Sequence, residues 1–229
     1  MCGRFAFYSP HEAVVRLFGV ADAPQVEPRY NIAPTQFIAA VRADQAGDRS
    51  LAMLYWGLVP SWAREKSIGA RMINARAETL GEKPSFRAAY KRRRCLVLAD
   101  GWYEWQRSGA VKQPYYIGFA NREPFGMAGL WESWRDPASG EPLESCCIVT
   151  VPASPELEHV HHRMPVIIAE AQRDEWLQSP DGAAGVPGKL LAPWARGGLE
   201  VRPVSRRVND ARNQGADLLD PLGTAADPA

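Results

Sequence analysis

The sequence predicts an α+β fold in which a mostly antiparallel sheet or barrel is accompanied by a few short helices. The 229 residues are 46% apolar and 23% charged, values typical of a globular chain long enough to bury a core. Short strand-like runs recur without the regular strand and helix alternation of a parallel α/β sheet. Turn signals follow at short spacing, with neither an internal repeat nor a flexible linker, which favours one domain over two.

Short runs of β-branched and aromatic residues, bounded by Gly, Pro or Asp, predict the strands. They lie at residues 3–8, 51–58, 95–99, 115–119, 147–151 and 166–169. A turn at Asp100 and Gly101 leads into an aromatic segment at Trp102, which predicts one more strand. Because most of these runs lie far apart in the chain, simple hairpins cannot join all of them.

The helices are fewer and begin at recognisable signals. Ser9 and Glu12 have the spacing of a capping box with Pro10 at the first helical position, so a helix is predicted from there to Phe18. A second Ser-Pro pair at residues 154–155 predicts another helix start. Further helices are expected near residues 86–93 and 171–178. The small, acidic segment 214–229 is predicted to be a loose tail behind a domain of residues 1–213.

The charge pattern excludes one class of function and favours another. With 27 Lys and Arg against 26 Asp and Glu, the chain cannot bind polyanions through net charge alone. Between Trp62 and Lys112, however, twelve Lys or Arg are balanced by only five Asp or Glu. Trp102 and Trp105 lie in the same stretch, and cations interleaved with aromatic rings favour single-stranded nucleic acid. The alternative for residues 91–94 is a solvated helix face.

Neither a membrane span nor a disulfide framework is indicated. No apolar run approaches the roughly 18 residues of a transmembrane helix. The first residues lack a basic leader with an apolar stretch, so a cytoplasmic protein without membrane contact is expected. The four cysteines contain no C-x-x-C pair, and the adjacent Cys146 and Cys147 are expected in the core of a strand.

Cys2 is the candidate for covalent chemistry. It follows Met1, and a small second residue permits removal of the initiator, which would leave cysteine at the amino terminus. An α-amine of pKa about 7.7 to 8.0 and a thiol of pKa about 8.5 are both partly deprotonated near neutrality. Such a 1,2-aminothiol captures an aldehyde as a Schiff base, and the thiol then closes a thiazolidine ring. Arg4 adds a fork of donors suited to phosphate.

Three more segments contain candidate reactive or binding residues. Glu104 lies among aromatic residues, where burial would raise its pKa and suit it to acid catalysis; an exposed strand position is the alternative. His161 is one of three closely spaced histidines and lies near Arg163. An acid/base beside an anion site fits better than a metal ligand, since no further Cys or His has matching spacing. Asn74 and Arg76 lie two residues apart and would project to the same side of an extended segment.

An ordered set of motifs resembles the SRAP family, named for SOS response-associated peptidase. The motifs are MCGRF at residues 1–5, RYNIAPTQ at 29–36, WGLVPSWA at 56–63, NARAET at 74–79, RRCLVLADGWYEW at 93–105, AGLWE at 128–132 and HHRMPVI at 161–167. Each motif alone is weak, but their order and spacing are highly specific from Cys2 to about Asn213. The resemblance implies a single α+β domain with a β-barrel-like core, and a protein that covalently traps abasic sites in single-stranded DNA.

The resemblance also implies roles for the candidate residues. Cys2 corresponds to the nucleophile and Asn74 to the polar residue that holds it and the sugar. Glu104 corresponds to an acid/base and His161 to a second one. The residues that resemble the family's DNA contacts are Arg4, Trp62, Arg76 and Arg163. No cofactor and no metal are implied. The expected partner of a monomeric protein is single-stranded DNA containing abasic sites, with the replication machinery as a further candidate.

Two other classes of function fit some of the same residues. A Cys, a His and a carboxylate suggest the thiol peptidase of the family name, acting on its own Met1, although no motif indicates an oxyanion hole. A reader of modified or single-stranded DNA needs only the cations and the aromatic rings. Incubation with abasic DNA separates the three, because only the cross-linking protein gives a shifted band that survives denaturation.

Overall fold

The computed structural model describes residues 2–21, 24–108, 111–178 and 188–223. Within these ranges, thirteen strands form two sheets, with three α-helices and several short 3-10 helices around them. This arrangement confirms the predicted α+β class. None of the described helices has both the length and the apolarity needed to cross a bilayer.

The larger sheet contains a five-stranded ring that closes on itself as a barrel. Its strands are β3 (Phe37–Ala43), β4 (Arg49–Trp56), β6 (Arg94–Ala99), β9 (Phe125–Arg135) and β10 (Pro142–Pro152). The order β10-β4-β3-β6-β9 returns to β10, because β10 pairs with β4 on one side and with β9 on the other. The β10–β4 pairing is parallel and the other pairings of the ring are antiparallel. The mostly antiparallel barrel-like core is therefore confirmed, and closure removes the free strand edges.

Three short strands extend this sheet, and two of them carry candidate site residues. They are β5 (Asn74–Arg76), β11 (Arg163–Pro165) and β12 (Ile167–Ile168). β5 pairs parallel to β10 with Arg76 opposite Thr150, and β11 pairs antiparallel with the same stretch of β10. One long strand therefore holds the NARAET and HHRMPVI motifs side by side.

The second sheet is open and antiparallel throughout. Its strands are β1 (Phe5–Phe7), β2 (Arg29–Ile32), β7 (Gly101–Ser108), β8 (Val111–Phe119) and β13 (Leu199–Pro203). The order is β13-β8-β7-β1-β2. Because β1 pairs with β7, the start of the chain lies beside the strand that carries Glu104.

Apolar side chains of the barrel strands form the main core. Trp56, Leu96 and Ile148 are fully buried, and apolar burial of this kind is the main favourable contribution to folding. Cys146 and Cys147 on β10 are also fully buried, as expected of strand core residues.

Three helices lie near their predicted positions, but their lengths and caps differ in part from the prediction. α1 (His11–Phe18) and α2 (Pro84–Arg92) lie where they are predicted, whereas α3 (Arg173–Leu177) is shorter than expected. The predicted capping box is wrong: no side chain caps α1. Ser9 Oγ donates instead to the carboxylate of Asp100, a residue far away in the sequence.

Two other segments differ from their predictions. The chain after Ser154 forms turns rather than a helix, because it bends back towards His161 to enter β11. Residues 214–223, expected in a loose tail, are packed against the protein: Leu218 is fully buried and Gln214 Nε2 donates to the carbonyl of Asn31 at 2.9 Å. The last residues of that tail, 224–229, lie outside the described residues.

Candidate active site

The segment before β1 is held by main-chain contacts on two sides. Cys2 is fully buried there. The side-chain amide of Asn74 on β5 donates to the carbonyl oxygen of Cys2 at 2.8 Å. The main-chain N–H of Tyr103 on β7 donates to the carbonyl of Arg4 at 2.9 Å. These contacts fix Cys2 between the barrel and the second sheet.

Glu104 lies on β7, beside this anchored segment. Only 3% of the residue is exposed, which excludes the alternative of an exposed strand residue. Burial raises the pKa of its carboxyl to about 7. Near neutral pH the group therefore exists in both protonation states, as suits a carboxyl that donates a proton in one step and accepts one in another.

The thiol of Cys2 is held in its neutral form. Burial, and next the negative charge of Glu104, raise the pKa of this thiol well above its ordinary range. The pairing of β1 with β7 places the segment of Cys2 beside the strand that carries Glu104. This environment is the opposite of the electropositive one that creates a reactive thiolate.

His161 lies on the connection between β10 and β11. Burial is the main cause that lowers the pKa of its imidazole to about 4, so the ring is neutral at physiological pH. Its Nδ1 lies 3.0 Å from the main-chain nitrogen of Arg163 and 3.1 Å from that residue's carbonyl oxygen. Nδ1 accepts from this N–H when the ring proton lies on Nε2, and it donates to this carbonyl when the ring proton lies on Nδ1. The ring also stacks on His162, with centroids 4.4 Å apart.

Glu104 and His161 both line a cavity of about 470 Å³. The rest of its lining is formed by Trp105, Arg107, Lys112 and Asn209. Gln106 ties the histidine segment to β7, because its Nε2 donates to the carbonyl of His159 at 2.8 Å. A cavity of this volume is large enough for a small ligand such as a single nucleotide unit.

The guanidinium of Arg163 is turned into the protein. Its side chain is 9% exposed. It donates to both carboxylate oxygens of Glu78, at 2.5 and 3.0 Å, and to the carbonyl of Thr150 at 2.6 Å. Protein acceptors thus occupy both of its Nη atoms, and the direct DNA contact expected from the sequence stays a prediction. The main-chain N–H of Arg163 contacts His161, so the residue is well suited to positioning the imidazole.

Arg4 is half-buried at the start of β1. Its Nη1 donates to Asn31 Oδ1 and to the carbonyl of Val208, both at 2.7 Å. The guanidinium carbon lies 5.9 Å from the centre of the Trp105 ring. Asn31 is fully buried, and its amide also donates to the carbonyl of Asn213 at 2.9 Å. This network fixes the C-terminal segment beside the cavity.

The three remaining predicted residues differ in how far their polar or aromatic groups are exposed. Oδ1 of Asn74 is buried and has no hydrogen-bond partner within the described part of the chain. Arg76 is exposed at the end of β5, and Trp62 is 59% exposed in the loop after β4. Arg76 and Trp62 are therefore accessible to a substrate that extends beyond the cavity, whereas Oδ1 of Asn74 is buried.

The four predicted catalytic residues come together through different contacts. Cys2 meets Asn74 through its carbonyl, Glu104 acts on the Cys2 thiol, and Glu104 shares the cavity with His161. Across the described ranges, no group of three or more His, Cys, Asp or Glu side chains converges as a metal site would require.

Sequence reasoning missed several residues of this region. They are Asn31, Glu78, Arg107, Lys112 and Asn209. Signals for four of them were present: Asn31 and Glu78 belong to the RYNIAPTQ and NARAET motifs, and Arg107 and Lys112 belong to the basic stretch. No pattern in the sequence distinguishes Asn209.

Comparisons with known proteins agree with one another. The family model described as SOS response associated peptidase (SRAP) matches residues 1–211. The abasic site processing protein YoqW of Bacillus subtilis is 39% identical over 224 residues, which cover 96% of this chain and 99% of that protein. The abasic site processing protein YedK of Escherichia coli is 30% identical over 235 residues, which cover 97% of this chain and 100% of that protein. A solved structure from Bacteroides thetaiotaomicron has a TM-score of 0.84 at 25% identity, covering 96% of this chain and 99% of that chain.

Proposed function

This chain belongs to the SRAP family, and on that premise we propose that it processes abasic sites in DNA by linking itself covalently to them. The product is a thiazolidine formed by Cys2, once Met1 is removed, with the open-chain aldehyde of an abasic deoxyribose in single-stranded DNA. One observation carries the proposal. Asn74 anchors the carbonyl of Cys2 at 2.8 Å, beside the carboxyl of Glu104, whose pKa is about 7.

The first step of the proposed reaction opens the sugar. An abasic deoxyribose is mostly a closed hemiacetal. The aldehyde is released when an acid protonates the ring oxygen and its conjugate base takes the proton of the anomeric hydroxyl. Glu104 suits this step, because burial keeps a proton on a large fraction of its carboxyl at neutral pH. The unpartnered Oδ1 of Asn74 is an acceptor for a sugar hydroxyl in the same region.

The amine of Cys2 then attacks the aldehyde carbon. Its lone pair forms the C–N bond, and the carbonyl oxygen takes the proton that the nitrogen gives up, which yields a neutral carbinolamine. The Nε2–H of neutral His161 donates a hydrogen bond to its hydroxyl in this proposal. The hydroxyl takes a further proton from protonated Glu104 and leaves as water, and the products are a protonated Schiff base and the Glu104 carboxylate.

Ring closure uses the neutral thiol. The sulfur lone pair forms a C–S bond to the imine carbon, the C=N electron pair returns to nitrogen, and the thiol proton passes to the carboxylate of Glu104. One aldehyde and one aminothiol thus give one thiazolidine and one water, with no change of oxidation state. The raised pKa of the thiol is compatible with this step, because a proton acceptor lies nearby.

The surface outside the cavity supports single-stranded DNA as the substrate. The exposed ring of Trp62 offers a face for base stacking, and Arg76 offers a cation for a phosphate. Arg163 contributes differently from what the sequence suggests. Through its main-chain N–H it orients His161, while Glu78 holds its guanidinium.

The two alternative functions have less support. A peptidase needs a cysteine whose pKa is depressed, whereas burial and Glu104 raise the pKa of Cys2. A reader without chemistry would have no use for a buried carboxyl beside an anchored Cys2.

Incubation with a single-stranded oligonucleotide that contains one abasic site tests the proposal. We expect a band shift on a denaturing gel that survives heating, and no shift with a tetrahydrofuran analogue that lacks the aldehyde. Cys2→Ala is the matched control, because it keeps the amine but loses the thiol. A peptide cleavage without a shift would favour the peptidase, and neither product would favour the reader. Heat-stable adduct at the normal yield from Cys2→Ala would refute the assignment of the nucleophile.

A further inference from the structure

Two cations lie directly opposite each other on the β7–β8 hairpin and both line the cavity. Arg107 on β7 is the cross-strand partner of Lys112 on β8. Like charges at directly opposed positions destabilise an antiparallel pair. The fold therefore keeps an unfavourable arrangement at the wall of the candidate active site, where an anion between the two side chains would turn it into a favourable one.

No residue in the described part of the chain pairs with either cation. Arg107 and Lys112 form no ion pair with any residue in the described ranges, and both side chains are exposed. The positive charge of Arg107 contributes to the lowered pKa of His161, after burial and other causes, so the guanidinium lies within electrostatic reach of the imidazole. The other ionisable groups of the cavity lining are Glu104 and His161, and the imidazole is neutral at physiological pH.

The wall between these cations and the start of the chain is rigid and aromatic. The indole N–H of Trp105 donates to Asn209 Oδ1 at 2.7 Å. The guanidinium of Arg4 lies on the same ring, with its carbon 5.9 Å from the ring centre. A fixed aromatic surface flanked by cations is the arrangement that follows a single DNA strand, with phosphates on the cations.

We propose that Arg107 and Lys112 form a phosphate clamp, which holds the phosphodiester next to the abasic deoxyribose while the sugar occupies the cavity. The clamp rests on the proposed function, since it names a subsite for the same substrate. Arg107 offers a planar fork of donors and Lys112 a compact charge, a combination suited to two oxygens of one phosphate. Neither residue is assigned a part in proton transfer or bond formation.

Salt-dependent binding tests the clamp. The ligand is a single-stranded oligonucleotide with a tetrahydrofuran abasic analogue, which binds without reacting. For Arg107→Ala/Lys112→Ala we expect affinity about tenfold weaker at low salt, and a plot of log affinity against log salt flattened by about 0.7, the value for one phosphate that is no longer neutralised. The matched control is Lys91→Ala/Arg92→Ala, which removes two exposed cations of α2 and should leave the slope unchanged. The melting temperature of the clamp variant should equal or exceed that of the wild type, because a like-charge pair is removed.

Neutral methylphosphonates identify the phosphate. Replacing the clamped phosphodiester, on one side of the abasic analogue, should weaken binding of the wild type and leave the clamp variant unaffected. The clamp is wrong if the clamp variant has the wild-type salt slope. It is also wrong if, at each of the two flanking positions, a methylphosphonate weakens binding of the variant as much as it weakens binding of the wild type.

Cross-linking separates this outcome from failure of the proposed function. On a natural abasic site, the half-saturating DNA concentration of the clamp variant should rise about tenfold over that of the wild type. A wild-type protein that forms no adduct contradicts the proposed function whatever the salt slopes are. A wild type that reacts normally, with a clamp variant indistinguishable from it, contradicts the clamp alone.

Discussion

Replacing Glu104 by Gln tests the buried carboxyl through stability as well as through chemistry. Burial raises the pKa of this group from 4.5 to about 7 in the folded protein. In the unfolded chain the carboxyl loses its proton from about pH 4.5 upward, whereas the folded protein retains it until about pH 7. The free energy of unfolding therefore falls as the pH rises through this window and becomes constant above it. The total loss is about 3 kcal/mol, at 1.36 kcal/mol for each unit of pKa difference.

Thermal unfolding at two pH values measures this loss. Glu104→Gln keeps the size of the side chain but cannot ionise. The variant should match the wild type near pH 4 and exceed it at pH 8 by about 3 kcal/mol, or roughly 6 to 12 °C in melting temperature. Glu156→Gln, at an exposed position, is the matched control and should show no such pH-dependent gain. His161 titrates in all three proteins, so its contribution cancels in the comparison.

The same variant should lose activity while it gains stability. Without a proton donor on Glu104, the closed sugar opens slowly, and adduct formation on a natural abasic site should fall by about 100-fold or more. A substrate that is already an open aldehyde should recover much of that loss. A gap in stability between wild type and variant that does not widen from pH 4 to pH 8 would refute the argument from burial. Full activity on the natural site would refute the acid role.

Three further outcomes follow from the site. Cys2→Ala should give a transient Schiff base that borohydride traps but no stable adduct, and Cys2→Ser should behave similarly because an oxazolidine is less stable than a thiazolidine; both are read on a denaturing gel. His161→Ala should slow the steps after amine attack, so an open aldehyde should not rescue its rate, and equal rescue with Glu104→Gln would show that the two roles are wrongly divided. Arg76→Ala should flatten the salt dependence of noncovalent binding by about 0.7, and a salt-independent wild type would contradict the basic surface.

The sequence predicts those strands whose residues favour extended structure by themselves. All six predicted runs overlap observed strands, because their β-branched and aromatic residues fit a buried pleated surface. No predicted run covers any part of β9, since Gly126 and Gly129 are poor strand formers. Packing leaves little room for a side chain at either position: a Cβ at Gly129 would lie 2.7 Å from Cys95 Sγ, and one at Gly126 would lie 3.1 Å from Leu96. These close contacts exist only in the closed barrel.

Interactions between distant segments explain what the sequence could not predict about the site. The motifs identify Arg163 as a cation near the histidines, but its burial depends on Glu78, which lies 85 residues earlier in the chain. Ser9 has the local pattern of a helix cap, yet its hydroxyl is bound by Asp100, 91 residues later. Local patterns thus give the residue types of the site, and the long-range pairing of strands decides which groups are satisfied internally and which remain for a ligand.

The position of Cys2, the proposed nucleophile, depends on long-range pairing most of all. Residues at chain ends fray unless other elements hold them, yet Cys2 is fully buried. Asn74 holds Cys2 by a hydrogen bond to its main-chain carbonyl, and this contact does not involve the thiol. Substitution of the Cys2 side chain therefore leaves the anchor in place, and loss of the adduct in Cys2→Ala or Cys2→Ser reports the missing thiol rather than a displaced amine. Removal of the Asn74 amide has the opposite effect, because it releases the amine and the thiol together while both remain chemically intact.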